Sequence, residues 1–129
     1  MNENYKILGK YIKDMSSETA DIETFLFVKD YISKYQLNID ITSKALKNKL
    51  VEINTTLKFE DKDENSKKSH FEIVFATIVR ISDQIKEKKD LQKIILCDVQ
   101  KEIYPDLEKS FLNLLHNSGY PEIKFEKKI

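Results

Sequence analysis

The stretch DLQKIILCDVQKEIYPDLEKSFLNLLHNS, Asp90 to Ser118, decides how the chain is read. Leu91, Ile95, Val99, Ile103, Leu107, Phe111 and Leu115 recur every four residues, the spacing of one helix face. At 1.5 Å per residue the helix is roughly 40 Å long. Asp90 suits an N-cap and Gly119 a C-terminal stop. Each step of four turns an α-helix by about 40° beyond a full turn, so the stripe drifts by roughly 240° from end to end. The apolar face of the first half then lies nearly opposite that of the second, and one flat sheet cannot cover both. Pro105, between the halves, removes a backbone donor and invites a kink. A kink supplies no second apolar surface, whereas a second copy of the chain does. Leu107, Phe111 and Leu115 are therefore expected at an oligomer interface, a reading favoured over a helix docked on its own sheet with some exposed leucines.

Upstream of this helix the period changes from four to two. Tyr5 to Ser17 reads as a first strand, with Tyr5, Ile7 and Tyr11 on one face, Leu8 and Ile12 on the other, and Gly9 marking a bulge or close approach. Thr19 to Tyr35 partly follows helical spacing, with Thr19 or Asp21 as possible caps. Its Phe25-Leu26-Phe27-Val28 run is unusually apolar for a connection. Leu37, Ile39 and Ile41 alternate with polar residues as a second strand. Val51, Ile53, Thr55, Leu57 and Phe59 form one face of a third, and Asp61 to Lys68 is a charged hairpin loop. The fourth strand, His70 to Ile81, is apolar on both faces, which places it centrally or under a partner. The fold class expected is α+β: a four-stranded antiparallel sheet with one long helix packed on it, in a single domain over residues 1–129.

Composition narrows the function. The 129 residues are 40% hydrophobic and 34% charged, with 22 basic and 22 acidic side chains, so no global field favours nucleic acid or an acidic membrane. No apolar run approaches the roughly 20 residues that span a bilayer, and the first residues do not read as a signal peptide. Cys97 is the single cysteine; it suits a reduced cytoplasmic compartment and reads as a small buried hydrophobe. His70 and His116 lack flanking ligands, so no metal is expected. Only two glycines and two prolines occur, and no phosphate loop, dinucleotide fingerprint or serine elbow is present, which points away from an enzyme and from a cofactor.

Three segments, in order, resemble the SecB family of bacterial export chaperones. Tyr11-Ile12-Lys13-Asp14-Met15-Ser16-Ser17-Glu18 is similar to its first-strand motif, Ile103-Tyr104-Pro105 to its main helix, and Ser118-Gly119-Tyr120-Pro121 to its helix exit. Four features depart from that pattern. Ala76-Thr77-Ile78-Val79-Arg80 stands where a glycine pair is usual, and Asp106-Leu107-Glu108 follows the proline in place of Tyr-Ala-Arg. The chain is neutral where classical members are acidic, and it ends at Lys127-Lys128-Ile129 before a second helix.

The resemblance implies an ATP-independent chaperone that binds unfolded preproteins and keeps them competent for export, working as a tetramer built from two dimers. It also implies a contact with the motor SecA at Asp14 and Glu18, although the matching acidic position of the fourth strand is Val74. Phe25, Phe27, Tyr31 and Ile32 fall in the crossover that helps wall the family's client groove; ordinary core packing is the competing account of the same residues. SecB-like chaperones also serve toxin–antitoxin pairs, so an antitoxin is the alternative client.

Overall fold

The computed structural model describes residues 4–62, 68–121 and 123–124. Most of the charged loop read at Asp61 to Lys68, and the end of the chain from 125, lie outside the described residues. Four antiparallel strands, β1 (Tyr5–Glu18), β2 (Gln36–Ala45), β3 (Leu50–Glu60) and β4 (His70–Ile81), form one sheet in the order β1-β4-β3-β2. β4 is central, as its two apolar faces require, and β1 and β2 are the edges.

Strand register decides which side each residue serves. On β3, Val51, Ile53, Leu57 and Phe59 are buried, and across from them Phe71, Ile73 and Val79 of β4 are buried as well. β1 departs from strict alternation. Its pairing with β4 skips Leu8 and then Lys13, so two bulges interrupt the ladder. The first moves Tyr11 to the face of Ala76, opposite the core face of Tyr5 and Ile7, and puts Ile12 on the core side against Phe75. The grouping of Tyr11 with Tyr5 and Ile7 is thereby corrected: an unpaired residue shifts the two-residue period by one. Gly9 stands next to the first bulge.

The connection from β1 to β2 is helical: α1 (Ile22–Tyr31) followed by a short 3-10 turn (Ile32–Lys34). Asp21 is the cap, its side chain accepting from Thr24 N at 2.8 Å. Thr19 instead shares a hydrogen bond with the Ser69 hydroxyl at 2.7 Å.

The long helix is continuous but not uniform. α2 (Lys88–Lys93) passes through a π segment (Ile94–Asp98) into α3 (Val99–Asn117), which runs through Pro105. Asp90 lies in the first turn; Glu87 occupies the N-cap position with no side-chain cap bond, which corrects that expectation. The exit is a Schellman turn: Tyr120 N donates to Leu115 O (3.0 Å) and Gly119 N to His116 O (3.2 Å). Gly119 has φ +107°, and a Cβ there would lie 2.5 Å from Phe25 Cε1, so backbone and packing both call for glycine.

The stripe is buried along its length within one chain. Ile95, Val99, Ile103, Leu107, Phe111 and Leu115 are each 7% exposed or less. The assignment of Leu107, Phe111 and Leu115 to an oligomer interface is therefore corrected: they hold the helix to its own sheet. Two features absorb the drift. In the wider π turn a four-residue step falls short of a full turn instead of overshooting it, which counter-rotates the stripe. The sheet is also twisted rather than flat, so its contact line follows a winding row. The same π turn leaves Leu96 half-exposed and Cys97 exposed, against its reading as a buried hydrophobe.

Candidate functional site

Packing sorts the crossover residues into two kinds. Phe25 and Ile32 pack against the core. Phe25 lies 5.4 Å from the Tyr120 ring, which meets Phe71 edge-on at 5.6 Å; Phe71 in turn neighbours Tyr35 and Phe59. This aromatic row fastens α1 to the sheet and to the helix exit. Burial pushes the Tyr35 phenol up, and its oxygen accepts from Ser69 N at 3.1 Å.

Phe27 and Tyr31 are spaced i, i+4 on α1 with rings 4.6 Å apart. Tyr31 is exposed, and the Lys34 ammonium sits 5.0 Å from its ring centroid. Two further exposed apolar residues of α1 were not singled out by sequence reading: Ile22, 71% exposed, and Leu26, 53% exposed. Thr24 and Val28 face the core, so Ile22 and Leu26, two residues away, point outward. That some apolar residues of α1 must face outward was in the sequence, since α1 is apolar on nearly every side and only one side can reach the core, but not which ones.

On the sheet, Ile39 is exposed although it shares the helix-side face with its partner Leu57. The row Gln100, Tyr104, Glu108 runs along the flank of the long helix towards β3, where Gln100 accepts from Thr55 Oγ1 at 3.1 Å. Burial and the Glu108 carboxylate push the Tyr104 phenol up. The opposite flank is tied to β1: Tyr5 OH donates to Glu102 Oε1 (2.5 Å), and Lys10 Nζ donates to Asp106 Oδ2 (2.6 Å).

The outer face of the sheet, away from the helix, carries Asp14 and Glu18 on β1. Asp14 pairs across the ladder with Val74 and Glu18 with His70, so the two acids share a face one residue-pair apart. Glu72, opposite Ser16 between them, is a third acid on that face, engaged by Lys58 at 3.6 Å and His70 at 3.9 Å. Sequence reading passed over Glu72 because its place between Asp14 and Glu18 depends on the β1–β4 register, which the bulges on β1 set. Further along, the Asn54 amide and the Lys13 ammonium both donate to Glu52 Oε2 at 3.0 Å and hold its carboxyl below the usual range.

Among the described residues no three His, Cys, Asp or Glu side chains gather as a metal site; His116 Nε2 lies 3.3 Å from Ile123 O. No described helix is long and apolar enough to cross a membrane. The chemistry on display is exposed apolar surface beside separated charge, and apolar burial is non-directional. This chain belongs to the SecB family: residues 1–127 match the family described as "Preprotein translocase subunit SecB". It is 62% identical over 129 residues to "Putative protein-export protein SecB" of Pelagibacter ubique (strain HTCC1062), covering 100% of this chain and 92% of that one. Among solved structures it is similar to the SecB-like chaperone of Mycobacterium tuberculosis in complex with a ChAD peptide from an antitoxin. That match has TM-score 0.68 and 10% identity, over 97% of this chain and 91% of the other. A Streptococcus agalactiae protein of unknown function is similar at TM-score 0.52 and 9% identity, over 95% and 97% of the two chains. At such identities the two structures speak for the fold.

Proposed function

We propose that this chain is an ATP-independent, non-enzymatic chaperone that holds unfolded preproteins for export in the cytoplasm. The observation that carries this reading is the exposed apolar set on α1, Ile22, Leu26 and Tyr31 with Phe27 beside it, within a SecB-family fold. Apolar burial is non-directional and tolerates sequence variation, which is what a holder of many clients requires. Phe27 and Tyr31 are the client contacts of the four crossover residues, and Phe25 and Ile32 position them from the core side. Asp14 and Glu18, with Glu72 between them, form the face offered to SecA.

The working form is an oligomer, a tetramer of two dimers. Its support is the edge strand β1: Leu8, Tyr11, Ile12 and Met15 are 42%, 46%, 43% and 48% exposed on a 14-residue strand with one unpaired edge. Dedicated protection of an antitoxin is not favoured. The relative at 62% identity is named for protein export, and the antitoxin-bound neighbour shares 10%.

The test is light scattering from a chemically denatured client diluted into buffer without nucleotide. Aggregation is expected to fall at equimolar subunits and to be unaffected by ATP. No suppression, or suppression only with ATP, would remove the chaperone reading.

A further inference from the structure

Away from α1, at the end of the sheet where β1 and β3 begin and β4 ends, lies an open cleft of about 390 Å³. Lys6, Lys49 and Arg80 line it, with Asp83 and the hairpin residue Asn48. Two local choices there run against the fold's own preferences, and both bring positive charge. The first is the hairpin between β2 and β3. Asn48 and Lys49 have φ of 63° and 61°, the left-handed pair of a tight turn whose second position is usually glycine. A lysine there strains the backbone yet extends an ammonium into the cleft. The second is the pairing of Lys6 directly opposite Arg80, like charges on neighbouring strands, which disfavours the ladder.

Arg80 is the chain's single arginine, and among the described residues neither it nor Lys6 has a carboxylate partner. Lys49 alone is paired, with Asp83 at 3.1 Å, where both side chains are at least half exposed. Three cations against one carboxylate leave the cleft about doubly positive in a chain whose net charge is zero. A guanidinium fork with two ammonium groups matches the oxygens and the double charge of a phosphoryl group. The volume falls within the range of roughly 300–1,000 Å³ usual for small-ligand sites, and three cations are too few to track a nucleic-acid backbone.

We propose that this cleft binds a phosphoryl dianion, either free phosphate or the phosphate end of a small organic phosphomonoester. The test is thermal melting of the full chain in sodium phosphate, in glycerol phosphate and in sodium chloride of matched ionic strength. Phosphate is expected to raise the melting temperature above the chloride control. Arg80→Gln and Lys6→Gln are each expected to weaken apparent affinity about tenfold or more, one charge-assisted contact apiece. Lys49→Gly separates binding from folding: it relieves the left-handed strain, so stability in chloride rises while the response to phosphate falls. A larger rise with glycerol phosphate than with phosphate assigns an organic ligand, and an equal rise assigns the free anion. No rise over chloride, or an undiminished rise in all three variants, overturns the proposal.

Discussion

Phe111 has no exposed surface, and Leu107 and Leu115, one turn away on either side, are as deeply buried. A carboxylate there would lose its hydration with no cation nearby on the stripe, at a cost of several kcal/mol. Phe111→Asp is therefore expected to unfold the single chain, rather than to separate folded copies. Circular dichroism on heating checks it: a cooperative melt at the parent temperature would mean that the side chain is not in the core. Two surface carboxyls give a pH signature. The Asn54 amide and Lys13 hold Glu52 below its ordinary 4.5, and Lys10 holds Asp106 below its ordinary 3.8. Groups with depressed folded pKa values stabilise above their unfolded pKa, and that stability is lost as pH falls through the folded value. Glu52→Gln with Asp106→Asn is expected to lower the urea midpoint slightly at pH 7 and to flatten its fall below about pH 4.5, the unperturbed Glu value, so that variant and parent converge in acid. An acid limb as steep as the parent's would place the acid sensitivity elsewhere.

At the scale of elements, α1 does two jobs with opposite faces. Thr24 and Val28 face the core, while Ile22, Leu26 and Tyr31 remain in solvent. Replacing Phe27 and Tyr31 together by Ser is expected to weaken client binding by about 2–4 kcal/mol if both are contacted, on the usual burial scale. The melting temperature should change little, because neither ring belongs to the core row that runs from Phe25 through Tyr120 to Phe71. Fluorescence titration of an unfolded client, with a melt of the same sample, separates the outcomes. Unchanged affinity would put the groove on another element, and loss of folding would make the pair structural. The apolar character of this crossover was plain in Phe25-Leu26-Phe27-Val28. Which of its residues face outward was not, because a helix apolar on nearly all sides has no periodic signal to orient it.

For the whole molecule, the expected oligomer rests on β1 and no longer on the helix. Light scattering at micromolar concentration should show a species larger than the 15.2 kDa chain. Ile12→Lys with Met15→Lys should shift it towards that mass without unfolding it, since both side chains are more than 40% exposed in one chain. A parent that scatters only as 15.2 kDa would overturn the oligomer.

Local pattern was enough to write the four strands, the central place of β4, the long helix with its stop at Gly119, and the α+β class, because each follows from a period of two or four and from where glycine alone fits. Asp14 and Glu18 on one face were equally within reach of a two-residue period. The drift of the helix stripe was also read correctly for an ideal α-helix on a flat sheet. The tertiary structure supplied neither: a π turn at Ile94–Asp98 and a twisted sheet carry the row back to the core, and Leu107, Phe111 and Leu115 became interior. The bulge at Leu8 likewise moved Tyr11 and Ile12 to opposite faces from those their alternation gave, and the bulge at Lys13 shifted the strand back. Bulges and π turns each insert one residue into a repeat. In a strand a single insertion reverses the side of everything after it, and in a helix it turns the following face by about 100°; either is stabilised by contacts between segments far apart in the chain, so no local window of the sequence contains it.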